Sequence, residues 1–455
     1  MKIHAGIFKA YDIRGVYPEQ LNKELAYRLG RAYALFIQGE NPGKKFTFGV
    51  GWDMRSSSPE LLQGLTAGLT DQGANVVRFG LVATPTFYFG VAKNGYDGGV
   101  MITASHNPKE YNGFKMVRSE SRPISGDNGI EEIRELVIKN EFSAAEKGTT
   151  SDKNDIVVDQ IQNDLTFIDL QKLKPFTIVA DPANAMAALY VEEVMKHIPG
   201  KLIKMNFELD GTFPAHQADP LQDETLVELK KRVLAEKADL GLGLDGDGDR
   251  IFFIDNTGQT IPPEIVRGLI AQEFLKEHPG ATICYDIRPG KITKDMIEAA
   301  GGVPVLTRVG HSFIKQVMLE HNAVFAGESS GHFFAKMEFG YFEVPVIVLL
   351  KLLQLMSEAG KPVSEIIAPY KKYHQSGEIN SGVEDKQGKM KELAAKYEKD
   401  ALSVSWMDGV TVEFPDFWFN VRASNTEPLL RLNLEATSRA LCDEKTKEIL
   451  GVIRG

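Results

Sequence analysis

Cysteine is nearly absent: Cys284 and Cys442 are the only two in 455 residues. So few cysteines exclude a disulfide framework and fit a reducing cytosol. Long apolar runs are missing as well. The longest, VPVIVLL, falls far short of the roughly 20 residues that span a bilayer, and the N-terminal MKIHAGIFKAYDIRG has no signal-like apolar core. The expectation is a cytoplasmic protein. Positive charge is also in deficit, since 52 Lys and Arg against 62 Asp and Glu leave a formal net charge of -10 and a pI near 5.5. Such a surface disfavours nucleic acid and anionic membrane as partners, and an anionic substrate would need a locally basic pocket.

What is present is ordinary for an ordered chain: 43% hydrophobic and 25% charged residues. The length, about three times a common domain of roughly 150 residues, predicts two to four domains. One local pattern recurs three times. FTFGVGWDMR, FTIVADPANA and TICYDIRPGK are β-rich runs ending at Asp53, Asp181 and Asp286, each followed by a helix-like segment and then by a second apolar strand, NVVRFG, KLIKMN or VPVLTRVG. Strand, helix, strand is the signature of a parallel or mixed α/β sheet. The C-terminal stretch differs, with strand-like VTVEF, FWFNVRAS and LLRLNLEA ahead of a charged helix, CDEKTKEILGVI. The expected division is three related mixed α/β domains, 1–150, 151–256 and 257–370, then a smaller α+β domain, 371–455, on an exposed linker able to hinge.

Five polar clusters stand out against this background. ITASHNPKEYNGFK at 102–115 follows the apolar run GGVMI and holds Ser105, His106 and Lys115. Ser105 and His106 are adjacent, so their side chains are expected to diverge, and no G-x-S-x-G elbow exists; both points argue against a serine hydrolase. A turn before Pro108 accounts for Ser105 and Asn107 taken alone. GLGLDGDGDRIFFID at 241–255 alternates Asp245, Asp247 and Asp249 with glycines, so that three hard oxygen donors converge, which favours Mg²⁺ or Ca²⁺ over zinc. An EF-hand would need Gly and Glu where Arg250 and Asn256 stand. An acidic β-turn is the plainer alternative, but three close carboxylates repel one another unless a cation neutralises them.

AGESSGHFF at 326–334 sets Glu328, Ser330 and His332 at every second position, which in an extended segment would face one ligand and suit sugar hydroxyls. A polar loop explains the same pattern. RASNTEPLLR at 422–431 gathers Arg422, Ser424, Asn425, Thr426 and Arg431, the groups that bind phosphate oxygens, although a capped turn before Pro428 looks similar. KAYDIRG at 9–15, with Tyr11 and Arg14, reads by itself as a turn with a surface arginine. A serine that carries a phosphoryl group would connect a metal loop, a hydroxyl reader and a phosphate reader.

Together TASHNP, DGDGDR, GESSGH and RASNTEP resemble the phosphoserine, Mg²⁺, sugar and phosphate loops of the α-D-phosphohexomutase family, in the family's order and over essentially the whole chain. That resemblance implies a heart-shaped arrangement of four domains around a central active-site cleft, the fourth being mobile. It implies phospho-Ser105, Mg²⁺ on Asp245, Asp247 and Asp249 with a phosphoserine oxygen, and Arg250 steadying the phosphoryl group. Lys115 and His311 become candidates for proton transfer and positioning, Arg14 joins the catalytic set, and Tyr11 and Arg288 join Glu328, Ser330, His332 and the 422–431 loop in binding substrate.

The implied reaction interconverts hexose 6-phosphate and hexose 1-phosphate, of mannose or glucose, through a hexose 1,6-bisphosphate that also serves as activator. YDIRG with RASNTEP resembles the phosphomannomutase/phosphoglucomutase branch, while Ser329 for a common methionine, Arg288 for a common lysine and YFEVPVIVLL without an aspartate-rich helix start leave the sugar open. Phosphoglucosamine mutase is the alternative within the family; a metal-dependent phosphohydrolase and a non-catalytic sugar-phosphate sensor are the alternatives outside it. The partner expected is a small sugar phosphate, and the chain is expected to be a monomer, with a dimer as the other option.

Overall fold

The computed structural model describes residues 3–40, 42–143, 145–288, 290–423 and 429–455, with the backbone alone at Asp127. The chain divides into two units, Met1–Ile261 with Ser330–Ile366 and Pro262–Ser329 with Ile367–Gly455.

In the first unit, strands β1 (Ile13–Val16), β2 (Thr47–Trp52), β3 (Asn75–Leu81), β4 (Gly98–Ile102), β5 (Tyr111–Arg118) and β6 (Thr150–Asp152) form one sheet in the order β1-β5-β4-β2-β3-β6. β2 lies parallel to β3 and β4, while β5 runs antiparallel to both β4 and β1. β4 is buried along its whole length, as expected of an apolar run covered on both faces. It pairs with β5 as a hairpin, Ile102 opposite Phe114, so residues 103–110 are the connection at its tip. Arg14 on β1 sits in register with Gly113 and is thereby brought to the same end of the sheet.

A second sheet in this unit repeats the device. Strands β7 (Phe176–Asp181), β8 (Gly200–Lys204), β9 (Leu240–Leu244) and β10 (Ile251–Asp255) are ordered β10-β9-β7-β8, with β7 parallel to β8 and β9. β9 and β10 are antiparallel, Leu244 opposite Ile251, and DGDGDR is their connection. Both polar loops therefore leave the carboxyl end of a buried strand, where open α/β sheets place ligands. The unit also holds the hairpin Phe333–Met337 with Gly340–Glu343 and the helix Pro345–Ala359, whose first turns are the apolar run VPVIVLL. Among the described residues no helix is long and apolar enough to cross a membrane.

In the second unit, strand Thr282–Asp286 lies parallel to both Val303–Thr307 and Phe325–Gly327. The C-terminal part is an antiparallel sheet of Ser403–Ser405, Val410–Glu413, Phe417–Ala423 and Leu429–Ala436. Its core gathers Phe419, Leu432 and Leu434 with Leu393 of helix Lys386–Tyr397 and Ile449 of helix Arg439–Arg454. One difference from the sequence reading lies in the segment expected to be an exposed linker. Two pieces of it, His374–Gln375 and Ile379–Gly382, pair with Leu429–Ala436 and extend the sheet. Pieces as short and polar as HQ and INSG, inside a Gly, Ser and Lys-rich stretch, give little periodic signal, so only the neighbouring strand reveals them.

The three repeated strands end as the sequence suggested, and each terminal aspartate anchors the loop after it. Asp53 accepts from Arg55 and Ser58, Asp181 from the Ala183 N–H and Asn206, and Asp286 from Arg288 of its loop and from the more distant Arg267 and Ser329. These are structural carboxylates with full sets of partners.

Asp164, at the end of helix Ile156–Asp164, is different. It is buried with only the Gln160 and Asn163 amides donating to it, and burial pushes its carboxyl from 3.8 up to about 7. The folded state then holds this proton more tightly than the unfolded chain does. The stability it contributes is complete below 3.8 and is lost as pH rises through about 7. Asp164→Asn is expected to match the wild type in acid and to exceed it above neutrality, by up to about 4 kcal/mol. Urea unfolding of both proteins across that pH range measures the gap.

Candidate active site

Ser105 adopts a left-handed backbone conformation, φ 50°, uncommon for a residue with a side chain. Its amide donates to Thr103 Oγ1 at 2.9 Å, and its Oγ donates to Asp245 Oδ2 at 2.9 Å. The same Oγ lies 3.2 Å from His106 Nδ1. The expected divergence of these two neighbours is thus corrected. An extended backbone would separate adjacent side chains, whereas the left-handed turn at Ser105 swings them together. Charge repulsion from Arg250, followed by burial and Arg14, holds the His106 imidazole well below its ordinary value, so it is neutral near pH 7.

The β9–β10 connection brings Asp245, Asp247 and Asp249 together, fully buried, with one oxygen from each inside a 4.8 Å cluster. Asp247 Oδ2 accepts from Thr84 Oγ1 at 2.6 Å, while its Oδ1 is buried without a hydrogen-bond partner. An orphaned carboxylate oxygen in an all-oxygen cluster is what a hard divalent cation requires, so the residues present fit Mg²⁺. Lys115, from β5, reaches in from the first sheet and donates to Asp247 at 2.7 Å and to Asp249 at 2.6 Å. Burial alone would lower the lysine, but attraction from Asp247 and then Asp249 carries it well above its ordinary value; it is an ammonium. Burial, reinforced by repulsion from Asp249 and Asp247, pushes Asp245 up. Asp249 is also penalised by burial, yet Lys115 and His332 hold it well below the carboxylate range.

Positive groups ring this centre. Arg14 donates to Asp12 at 2.8 Å and to Asn107 Oδ1 at 2.6 Å, which ties β1 to the serine loop. The Arg250 amide donates to Asp245 Oδ1, and its side chain lies 3.8 Å from Asp219 and 3.2 Å from His332 Nε2. His332 Nε2 is also 3.1 Å from Asp249, and its Nδ1 is 3.0 Å from Ser330 Oγ. His332, expected among the sugar readers, therefore sits on the aspartate loop. The extended row imagined for Glu328, Ser330 and His332 does not form. Residues 329–331 turn, with Gly331 at φ +84°, between the strands Phe325–Gly327 and Phe333–Met337. Tyr11 lies half-buried in the bend ahead of β1.

The second unit assembles other expected residues. Arg288 bonds Asp286 and lies 3.6 Å from Glu328, and Glu328 accepts from the Gly310 N–H at 2.7 Å, directly before His311 opens the helix His311–Glu320. Arg422 and Arg431 are opposite one another in register, and both pair with Glu378. Ser424, Asn425 and Thr426 lie outside the described residues.

A serine hydroxyl against a buried carboxylate triad, with lysine and arginine around it on paired α/β sheets, defines a site for metal-assisted phosphoryl transfer. Four family models match in sequence: phosphoglucomutase/phosphomannomutase α/β/α domain I over residues 5–144, domain II over 157–258, domain III over 262–373, and the C-terminal domain over 378–451. The phosphomannomutase of Vibrio cholerae is 39% identical over 98% of both chains. That of Methanocaldococcus jannaschii is 40% identical over 98% of this chain and 97% of its own. Among solved structures, a phosphoglucomutase/phosphomannomutase family protein from Burkholderia thailandensis superimposes with a TM-score of 0.90 at 31% identity, covering 99% of this chain and 98% of that one. The chain belongs to this family, the α-D-phosphohexomutases, and is an isomerase of hexose phosphates.

Proposed function

We propose that this chain interconverts the 6- and 1-phosphates of mannose or glucose through a phosphorylated Ser105. The observation that carries the reading is Ser105 Oγ at 2.9 Å from Asp245, inside the buried aspartate cluster and beside Lys115. The phosphoryl group passes from Ser105 Oγ to the free hydroxyl of a bound hexose phosphate. The bond to serine breaks as its Oγ takes up a proton, the bond to the sugar forms as the sugar hydroxyl gives one up, and a hexose 1,6-bisphosphate results. After that intermediate turns around, its other phosphate returns a phosphoryl group to Ser105. The same bisphosphate is the activator that recharges enzyme lacking the phosphoryl group.

Asp245, Asp247 and Asp249 would hold Mg²⁺, which would neutralise charge on the phosphoryl oxygens. Arg14 and Arg250 orient that group, and Lys115, as an ammonium, supplies further positive charge and a proton. His311 serves at the second proton position. Glu328, Ser330, Arg288 and Tyr11 bind the sugar, His332 braces Asp249 and Arg250, and Arg422, Ser424, Asn425, Thr426 and Arg431 bind the distal phosphate. The four-part division at residues 150, 256 and 370, a monomeric state and a cytoplasmic location belong to the same reading. The two buried free cysteines support the location. Coupled assays on the 1-phosphates of mannose, glucose and glucosamine with Mg²⁺ test it. Turnover of mannose or glucose 1-phosphate above the glucosamine ester is expected, and a preference for the glucosamine ester would overturn the sugar assignment.

A further inference from the structure

Arg55 closes the run FTFGVGWDMR and lies outside the five polar clusters, yet it is among the largest fully buried side chains of the described residues, 1% exposed. A guanidinium has five N–H donors, and here all five are engaged. Nε donates to Asp53 Oδ2 at 3.1 Å. Nη1 donates to the carbonyls of Pro108 at 2.7 Å and Tyr111 at 3.0 Å, and Nη2 to those of Ser105 at 2.8 Å and Asn107 at 2.6 Å. Asp53 is fixed in turn by the Arg55 amide and by Ser58 Oγ at 2.7 Å. The Phe213 ring lies 5.0 Å from the guanidinium carbon and covers the site.

We propose that Arg55 is the positioning residue of the Ser105 loop, a clamp that holds four of its backbone carbonyls and so sets where Ser105 Oγ stands. The loop's own bonds, Asn107 N–H to the Ala104 carbonyl and Tyr111 N–H to the Pro108 carbonyl, define two small turns without fixing either turn to the sheet. Arg55 joins both turns to the end of β2. The opposite side of the clamp is equally close. A Cβ at Gly246 would meet the Ser105 carbonyl oxygen at 2.3 Å, so the metal loop packs directly on the carbonyl that Arg55 holds. Phosphoryl transfer depends on position, and a misplacement of about 1 Å costs on the order of 100-fold in rate. A lysine has three donors on a single nitrogen and cannot hold four carbonyls from one plane.

Only the catalytic consequence rests on the mutase reading; the clamp is tested separately from it. In metal-free protein, amide exchange over residues 103–111 is expected to quicken at least about tenfold in Arg55→Lys, with β2 and β4 unchanged, as loss of a local tether predicts. In turnover, kcat is expected to fall about 100-fold with KM within a few-fold. Added guanidinium should restore part of the kcat of Arg55→Ala, a rescue that loss of general stability would not permit. Gly246→Ala, which pushes the Ser105 carbonyl from the other side, is expected to give the same kcat loss and serves where an Arg55 variant fails to fold. Wild-type exchange in the loop of Arg55→Lys, or a change confined to KM, overturns the proposal. Absence of turnover in the wild type would refute the mutase reading and leave the exchange result to decide the clamp.

Discussion

Ser105→Ala is expected to abolish interconversion of hexose phosphates, lowering kcat by about 10⁴-fold or more, the scale on which loss of a covalent carrier is felt. The neighbouring loop hydroxyl, Thr103 Oγ1, is already engaged on both sides, accepting the Ser105 amide and bonding Asp53. The variant should still fold, because the loop's tethers to Arg55 use backbone carbonyls and not the Ser105 hydroxyl. The left-handed backbone at Ser105 suits alanine no worse than serine. Comparable thermal midpoints with a lost turnover would therefore locate the defect in chemistry. Retention of full activity would refute the covalent reading.

Asp247→Asn carries the second large effect. This carboxylate has one oxygen bound to Thr84 and Lys115 and another that is buried and unpartnered. An amide in its place keeps the shape but removes the charge and offers an N–H where a cation should sit. Mg²⁺ affinity, measured by calorimetry or by displacement of Mn²⁺, is expected to fall at least about 100-fold, and activity at moderate Mg²⁺ should fall with it. Unchanged affinity would move the metal away from these aspartates.

The sequence carried the α/β repeat because a buried parallel strand must be a continuous apolar run, and FTFGVGWD, FTIVAD and TICYD each end on an aspartate that caps the next loop. It also carried Ser105 and the aspartate triad, since alternating glycines force three carboxylates into one small volume. Other features depend on distant packing and left no local mark. The approach of His106 to Ser105 follows from the left-handed backbone at Ser105, whose carbonyl meets Arg55, 50 positions away, and packs against Gly246. The pairing of Lys115 with Asp247 and Asp249 spans 132 and 134 positions of chain. Arg55 itself sat in GWDMRSSS, where an arginine before a helix reads as surface charge; a buried neighbour such as Asp53, closing an apolar strand, was the only hint. For Glu328, Ser330 and His332 the alternation was real but the extended backbone was not, because Gly331 turns the chain between two strands.

The central claim is that Ser105 carries the phosphoryl group. Intact mass of freshly purified protein, taken before and after treatment with glucose 1,6-bisphosphate and Mg²⁺ and followed by peptide mapping, tests it most directly. The account predicts a gain of one phosphoryl group located on Ser105, removable by phosphatase and absent from Ser105→Ala. Protein that stays unmodified after bisphosphate treatment, or that carries the group on another residue, would contradict it.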